Sequence, residues 1–122
     1  MSRIRSRDTS PEMSVRRLVH GMGFRYRLHV SNLPGKPDLV FPRLNRIIEV
    51  RGCFWHQHDG CIDAHIPKTR REYWRPKLNG NRRRDEENFR QLRGLGWRVC
   101  IVWECETNNV QKLQKRLARF LA

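Results

Sequence analysis

The apolar positions change period several times along this 122-residue chain. Val15, Leu18, Val19 and Met22 recur at i, i+3, i+4 and i+7, one face of a helix. The segment "DTSPE" before them reads as a helix start. Ser10 as N-cap puts Pro11 at the first helical position, and Thr9 with Glu12 fits a capping box. Gly23 ends the helix. The period then falls to two: Phe24, Tyr26 and Leu28 alternate with arginines and His29, as in a half-buried strand. "NLPGKP" is a turn, "DLVF" a short strand, "PRLN" a turn and "RIIEV" the next strand, which together predict a hairpin. From Arg71 to about Leu95 the pattern is helical and highly charged, with a break expected at Asn79 to Asn81. "GWRVCIVWE" is a buried strand, and Val110, Leu113, Leu117, Phe120 and Leu121 mark a C-terminal amphipathic helix. No internal repeat or low-complexity segment interrupts this order. It predicts one domain over residues 1–122, an α/β sandwich around a small mixed sheet.

Composition adds a partner. Lys and Arg outnumber Asp and Glu 26 to 12, for a net charge of +14 and a pI near 11.1. A plain solvated basic surface is the alternative, but so large an excess on so short a chain points to a polyanion. The excess is rich in Arg, whose fork matches phosphates and guanine edges. Residues 1–9 form a basic arm, flexible or facing that polyanion. No apolar run approaches 18 residues and the N-terminus lacks a signal-peptide core, so no membrane role and a cytosolic location are expected. Four cysteines in a reducing compartment then suggest metal binding or plain burial rather than disulfides.

Cys53, His58 and Cys61 crowd into "CFWHQHDGC", and Cys105 lies just past the buried strand. Three close N/S donors plus one remote thiol suit tetrahedral Zn(II) in a closed, structural site. His56 and His65 are rival ligands, while mid-strand Cys100 reads as a small core residue. A second constellation is Asp38 at a strand start with Glu49 and Arg51 two apart on the next strand, and therefore on one face. If the hairpin pairs, the two carboxylates converge beside Arg51. With the Val50 backbone carbonyl they form an oxygen-rich site suited to Mg(II), which can polarise a phosphodiester and activate water. This is a D-x10-E-x-R pattern of the PD-(D/E)xK nuclease type, with Arg in place of the usual Lys. Short matches of that kind are common, and the bland alternative is a strand-start Asp with an exposed Glu–Arg pair.

The segments "SRIRSRDTSPE", "GFRYRLH", "LPGKPDLVFP", "GCFWHQHDGC", "EYW" and "LGWRVCIVWEC" occur in that order. Together they resemble the very-short-patch-repair (Vsr) mismatch endonucleases, from about Ser2 to Cys105. The resemblance implies a restriction-endonuclease-like fold, a structural zinc, and Mg(II)-dependent nicking of double-stranded DNA 5′ of the T in a T:G mispair, in the bacterial cytosol. It implies Asp38 as the metal-binding carboxylate, His56 as general base or acid, and Glu12 and Asp85 as acidic supports. Cys53, His58, Cys61 and Cys105 match zinc ligands, and Phe54, Trp55 and Trp74 match aromatics that wedge into the DNA stack. Trp97 and Trp103 are expected in the core. The family usually has an aromatic at the Glu49 position and a His at the Arg51 position, so phosphate holding and substrate choice are open here. A DNA-acting monomer is expected, with mismatch-repair proteins as further partners. The alternatives are a nuclease for another DNA target in defence or a mobile element, and a non-enzymatic zinc-stabilised DNA-binding module.

Overall fold

The computed structural model describes residues 9–122; Arg3, Arg5 and Arg7 of the basic arm lie outside the described residues. Helix α1 runs Ser10–Gly21. Its cap is Thr9 rather than Ser10: the Thr9 hydroxyl accepts from the Glu12 N–H at 3.4 Å. The expected capping box is half made, because the Glu12 carboxylate turns away to His29 and Arg16. Val15 and Val19 point into the core.

Four strands form one sheet in the order β1 (Arg27–Leu28), β2 (Leu39–Phe41), β3 (Arg46–Arg51) and β4 (Arg98–Trp103). The β1–β2 and β2–β3 pairs are antiparallel, and β3–β4 is parallel. The strand expected over Phe24 to Val30 shrinks to two residues. Its partner β2 is followed by Pro42, which has no N–H to extend the ladder. Phe24 and Tyr26 still serve the core, with the Tyr26 ring 5.9 Å from that of Phe41.

Helix α2 (Arg71–Gly94) provides the crossover between β3 and β4, and α3 (Val110–Leu121) closes the chain. Short 3-10 turns lie at Ile62–Ala64 and Glu104–Asn108. The break expected at Asn79 to Asn81 is absent. Leu78 and Leu92 are fully buried, and the Asn81 amide donates to the Trp55 carbonyl at 3.1 Å, so tertiary contacts override weak helix formers. Side chains of Leu39, Phe41, Ile48 and Val102 pack with α1 and α3; Val40, Ile47 and Leu92 form a second cluster on the other face, against α2. Cys100 is buried in the first cluster, as expected of a small core residue. No helix among the described residues is long and apolar enough to cross a membrane.

The turn that precedes Asp38 is held tightly. Gly35 has φ +75°, and a Cβ there would meet the Asn88 side-chain amide of α2 at 2.8 Å. Gly35→Ala therefore combines backbone strain with a clash. It should lower stability by about 1–3 kcal/mol, read as a drop in Tm, whereas Gly94→Ala, with open space around it, should not.

Candidate active site

Leu39 pairs with Ile48, which sets Asp38 beside Glu49 at the end of the hairpin. Asp38 and Glu49 line the same cleft, as the hairpin pairing implied, while the carboxylate that gathers most closely with Asp38 is Glu12. The Val50 N–H donates to Asp38 Oδ2 at 2.8 Å, fixing that side chain at the ends of the central strands. Arg51 donates to Glu49 Oε2 at 2.9 Å, so the Glu–Arg pair is mostly buried rather than exposed. These groups line a cleft of about 680 Å³ together with Lys36, His56, Asp85 and Asn88.

His56 stands on the loop after β3, and Asp85 on α2. His56 Nδ1 lies 2.6 Å from Asp85 Oδ2. A carboxylate beside Nδ1 selects the tautomer in which that nitrogen donates, leaving Nε2 as a proton acceptor. Glu12 is 2% exposed, and its Oε2 lies 2.8 Å from His29 Nε2. The ligand atoms of Glu12, His29 and Asp38 all gather within 4.8 Å. His29 was absent from the residue set suggested by sequence. Pairing "FRYRLH" against "DLVF" across the turn would have placed it opposite Asp38.

Charge in this cleft is costly. Burial pushes the Asp38 carboxyl up to about 7, and the nearby Glu12 and Glu49 push the same way against the Val50 N–H bond. Burial also raises Glu49, offset in part by Arg51. The gathered Glu12 and Asp38 carboxylates supply hard oxygen donors that fit a divalent cation.

The four proposed zinc ligands also come together. Sγ of Cys53, Cys61 and Cys105 and a ring nitrogen of His58 lie within 4.8 Å of one another. His58 Nδ1 is 3.7 Å from Cys53 Sγ and 3.5 Å from Cys105 Sγ. A tetrahedral zinc with ordinary bond lengths implies S···N edges of about 3.5 Å, so the donors fit that ion. His56 and the exposed His65 are outside this group. Trp103 is not simply core: its ring stacks on His58 at 4.2 Å and 9°. Glu104 accepts from the Cys53 N–H at 3.3 Å. Burial pushes the Cys53 thiol up to about 12.

Phe54, Trp55 and Trp74 form a half-buried cluster, with ring centroids 5.1–5.6 Å apart and edge-to-face. Tyr73, 48% exposed, adds an edge at 5.0 Å and carries Arg70 over its ring at 4.9 Å. A half-buried aromatic cluster rimmed by cations can stack on bases beside phosphates.

The family model described as "DNA mismatch endonuclease Vsr" matches residues 1–62. The type II nicking enzyme V.XorIIP of Xanthomonas oryzae pv. oryzae is 46% identical over 99% of this chain and 88% of its own. The DNA mismatch endonuclease Vsr of Escherichia coli K12 is 41% identical over 93% of this chain and 72% of its own. Among solved structures, the catalytic domain of the homing endonuclease I-Bth0305I superposes with a TM-score of 0.62 at 18% identity, covering 93% of this chain and 94% of that domain. That likeness shows a shared fold.

The raised carboxyl of Asp38 has a consequence for stability. A carboxylate whose pKa is higher folded than unfolded favours folding while protonated. That advantage is lost as pH rises from about 4 through about 7. In Mg-free buffer, Asp38→Asn should melt above the parent chain by about 2 kcal/mol at pH 8, and by less at pH 5.5. An equal difference at both pH values would remove the ionisation as its cause. At the other cluster, Cys105→Ser should lose bound zinc and lower Tm, whereas Cys100→Ser should keep the metal, as measured by elemental analysis.

Proposed function

The chain belongs to the Vsr family of DNA mismatch endonucleases, and from that premise we propose that it nicks duplex DNA 5′ of the T in a T:G mispair, using Mg(II) at Asp38 and a structural Zn(II) on Cys53, His58, Cys61 and Cys105. The observation that carries this reading is the placing of Asp38 and the His56–Asp85 pair in one cleft. A binding module gains nothing from carboxylates aimed at phosphates, which repel them. As a member of this family the chain is a DNA endonuclease, and the non-enzymatic alternative falls away.

Asp38, the Val50 carbonyl and Glu49 are the groups offered to Mg(II), which when bound polarises the phosphodiester and lowers the pKa of water. His56 takes the proton from the attacking water, or returns one to the leaving oxygen, through Nε2. Asp85 holds the ring and stabilises its protonated form through Nδ1. Arg51, tethered to Glu49, supplies positive charge for the phosphate. Water's oxygen bonds to phosphorus, one P–O bond breaks, and the departing oxygen ends protonated. Glu12 supports Asp38 from α1.

Phe54, Trp55 and Trp74 insert into the base stack. A wedge costs stacking energy, and a mispair is cheaper to open, so the same cluster provides selectivity. One active site on one chain suits a single-strand nick by a monomer. A second reading concerns the target alone. The 46% identical relative is named as a type II nicking enzyme, which favours a nuclease of this family with a different DNA target, in defence or a mobile element.

End-labelled duplexes with one T:G mispair in varied flanks, and matched controls, test this reading. Wild type with Mg(II) should cut the T strand only. Asp38→Ala should lose more than about 10³-fold in rate while binding duplex as tightly or better, and His56→Ala should lose about 10²–10⁴-fold. Cutting of matched duplex would discard mismatch selectivity and keep the nuclease.

A further inference from the structure

We propose that the cation at Asp38 is also held by His29, with Glu12 as a further carboxylate, and that this nitrogen ligand makes the site prefer Mn(II) to Mg(II). The inference rests on the reading that Asp38 holds a divalent cation. It starts from the β1–β2 register. Leu28 pairs with Leu39, so the residues just beyond the paired strand ends, His29 and Asp38, are opposite one another, and the His29 N–H donates to the Asp38 carbonyl at 3.0 Å.

His29 has φ +46°, the left-handed region that a residue with a Cβ enters at a cost. Strain of this kind persists where surrounding contacts demand it, and it gathers at functional sites. Here the bend ends β1 and leaves the ring against Glu12, 2.8 Å from Oε2. Glu12 arrives from another element, α1, and is 2% exposed. The donor atoms of the three residues lie within 4.8 Å of one another, close enough to share one ion.

A purely structural His–Glu pair is the simpler account. Neutralising Glu12 does not require His29, however, because Arg16 already lies 3.5 Å from the same oxygen. Nor does that account explain why both groups gather on Asp38, the carboxylate that burial already disfavours in charged form. Glu12, Asp38 and the His29 imidazole form a mixed O/N set. Mg(II) favours oxygen ligands and sheds water reluctantly, whereas imidazole suits transition ions. Mn(II) accepts both donor types and prefers a site that includes nitrogen more than Mg(II) does.

Pulsed electron paramagnetic resonance of the zinc-loaded chain with Mn(II) reads the bound nitrogen directly. Coupling to an imidazole ¹⁴N is expected in the parent chain and in His56→Asn, and its loss is expected in His29→Gln. Mn(II) affinity of His29→Gln should fall about tenfold, with a smaller change for Mg(II), by titration calorimetry. Coupling that survives in His29→Gln but vanishes in His56→Asn would assign the nitrogen to His56 and overturn the proposal. Bound Mn(II) with no nitrogen coupling in the parent chain would overturn it too, while leaving the Asp38 reading intact. Mn(II) binding unaffected by Asp38→Asn would overturn the underlying reading itself. If His29→Gln fails to fold, the His56→Asn chain decides alone. With His58 in the cysteine cluster and His20 and His65 exposed, nitrogen coupling there comes from His29, and its absence refutes the assignment.

Discussion

The register of the β2–β3 hairpin governs the geometry of the cleft. With Leu39 opposite Ile48, the aliphatic side chains of one face enter the core beneath α1 and α3. The alternate positions, Ile47, Glu49 and Arg51, fall on the other face. A slip of one residue would send Glu49 into the apolar layer and Ile48 into the cleft. Core burial therefore fixes the placing of the charged groups, and the Val50 N–H bond to Asp38 fixes the remaining side chain at the strand ends. Precision at the polar site comes from apolar contacts on the far side of the same strands.

The segment from Gly52 to Arg70 has little core of its own. Cys53 is its one fully buried residue, and Ile62 is 88% exposed. The cysteine–histidine cluster takes the place of packing: it draws Cys53, His58 and Cys61 onto Cys105, at the far end of β4. Trp103 stacks on His58, Glu104 caps the Cys53 N–H, and Gln57 bonds the Phe54 and Ala64 carbonyls. Held this way, the loop presents His56 to Asp85 on one side and Phe54 and Trp55 to Trp74 on the other.

Features with local spacing were legible in the sequence. The hairpin, the close cysteine–histidine run and the alternation in β3 all follow from residues within a few positions of each other. What escaped depended on distant contacts. The role of Glu12 as a buried partner of His29 requires α1 to dock against the end of β1, which no periodicity reports. The unbroken α2 follows from burial of Leu78 and Leu92, which outweighs the weak propensity of Asn79, Gly80 and Asn81. The short β1 reflects the proline after its partner strand, and Trp103 left the expected core because His58 offered it a parallel ring.

Glu49 and Arg51 neutralise each other within the cleft, four and two positions before Cys53. Because the pair carries no net charge, exchanging both residues together leaves the net charge of the cleft unchanged. Such a charge pair is a place where cleft chemistry can drift by coupled substitution. Neither change alone is neutral, since each strands a partly buried ion. Evolution at these two positions should therefore proceed in paired steps, while Val50 and Cys53 on either side of Arg51 keep the backbone in place.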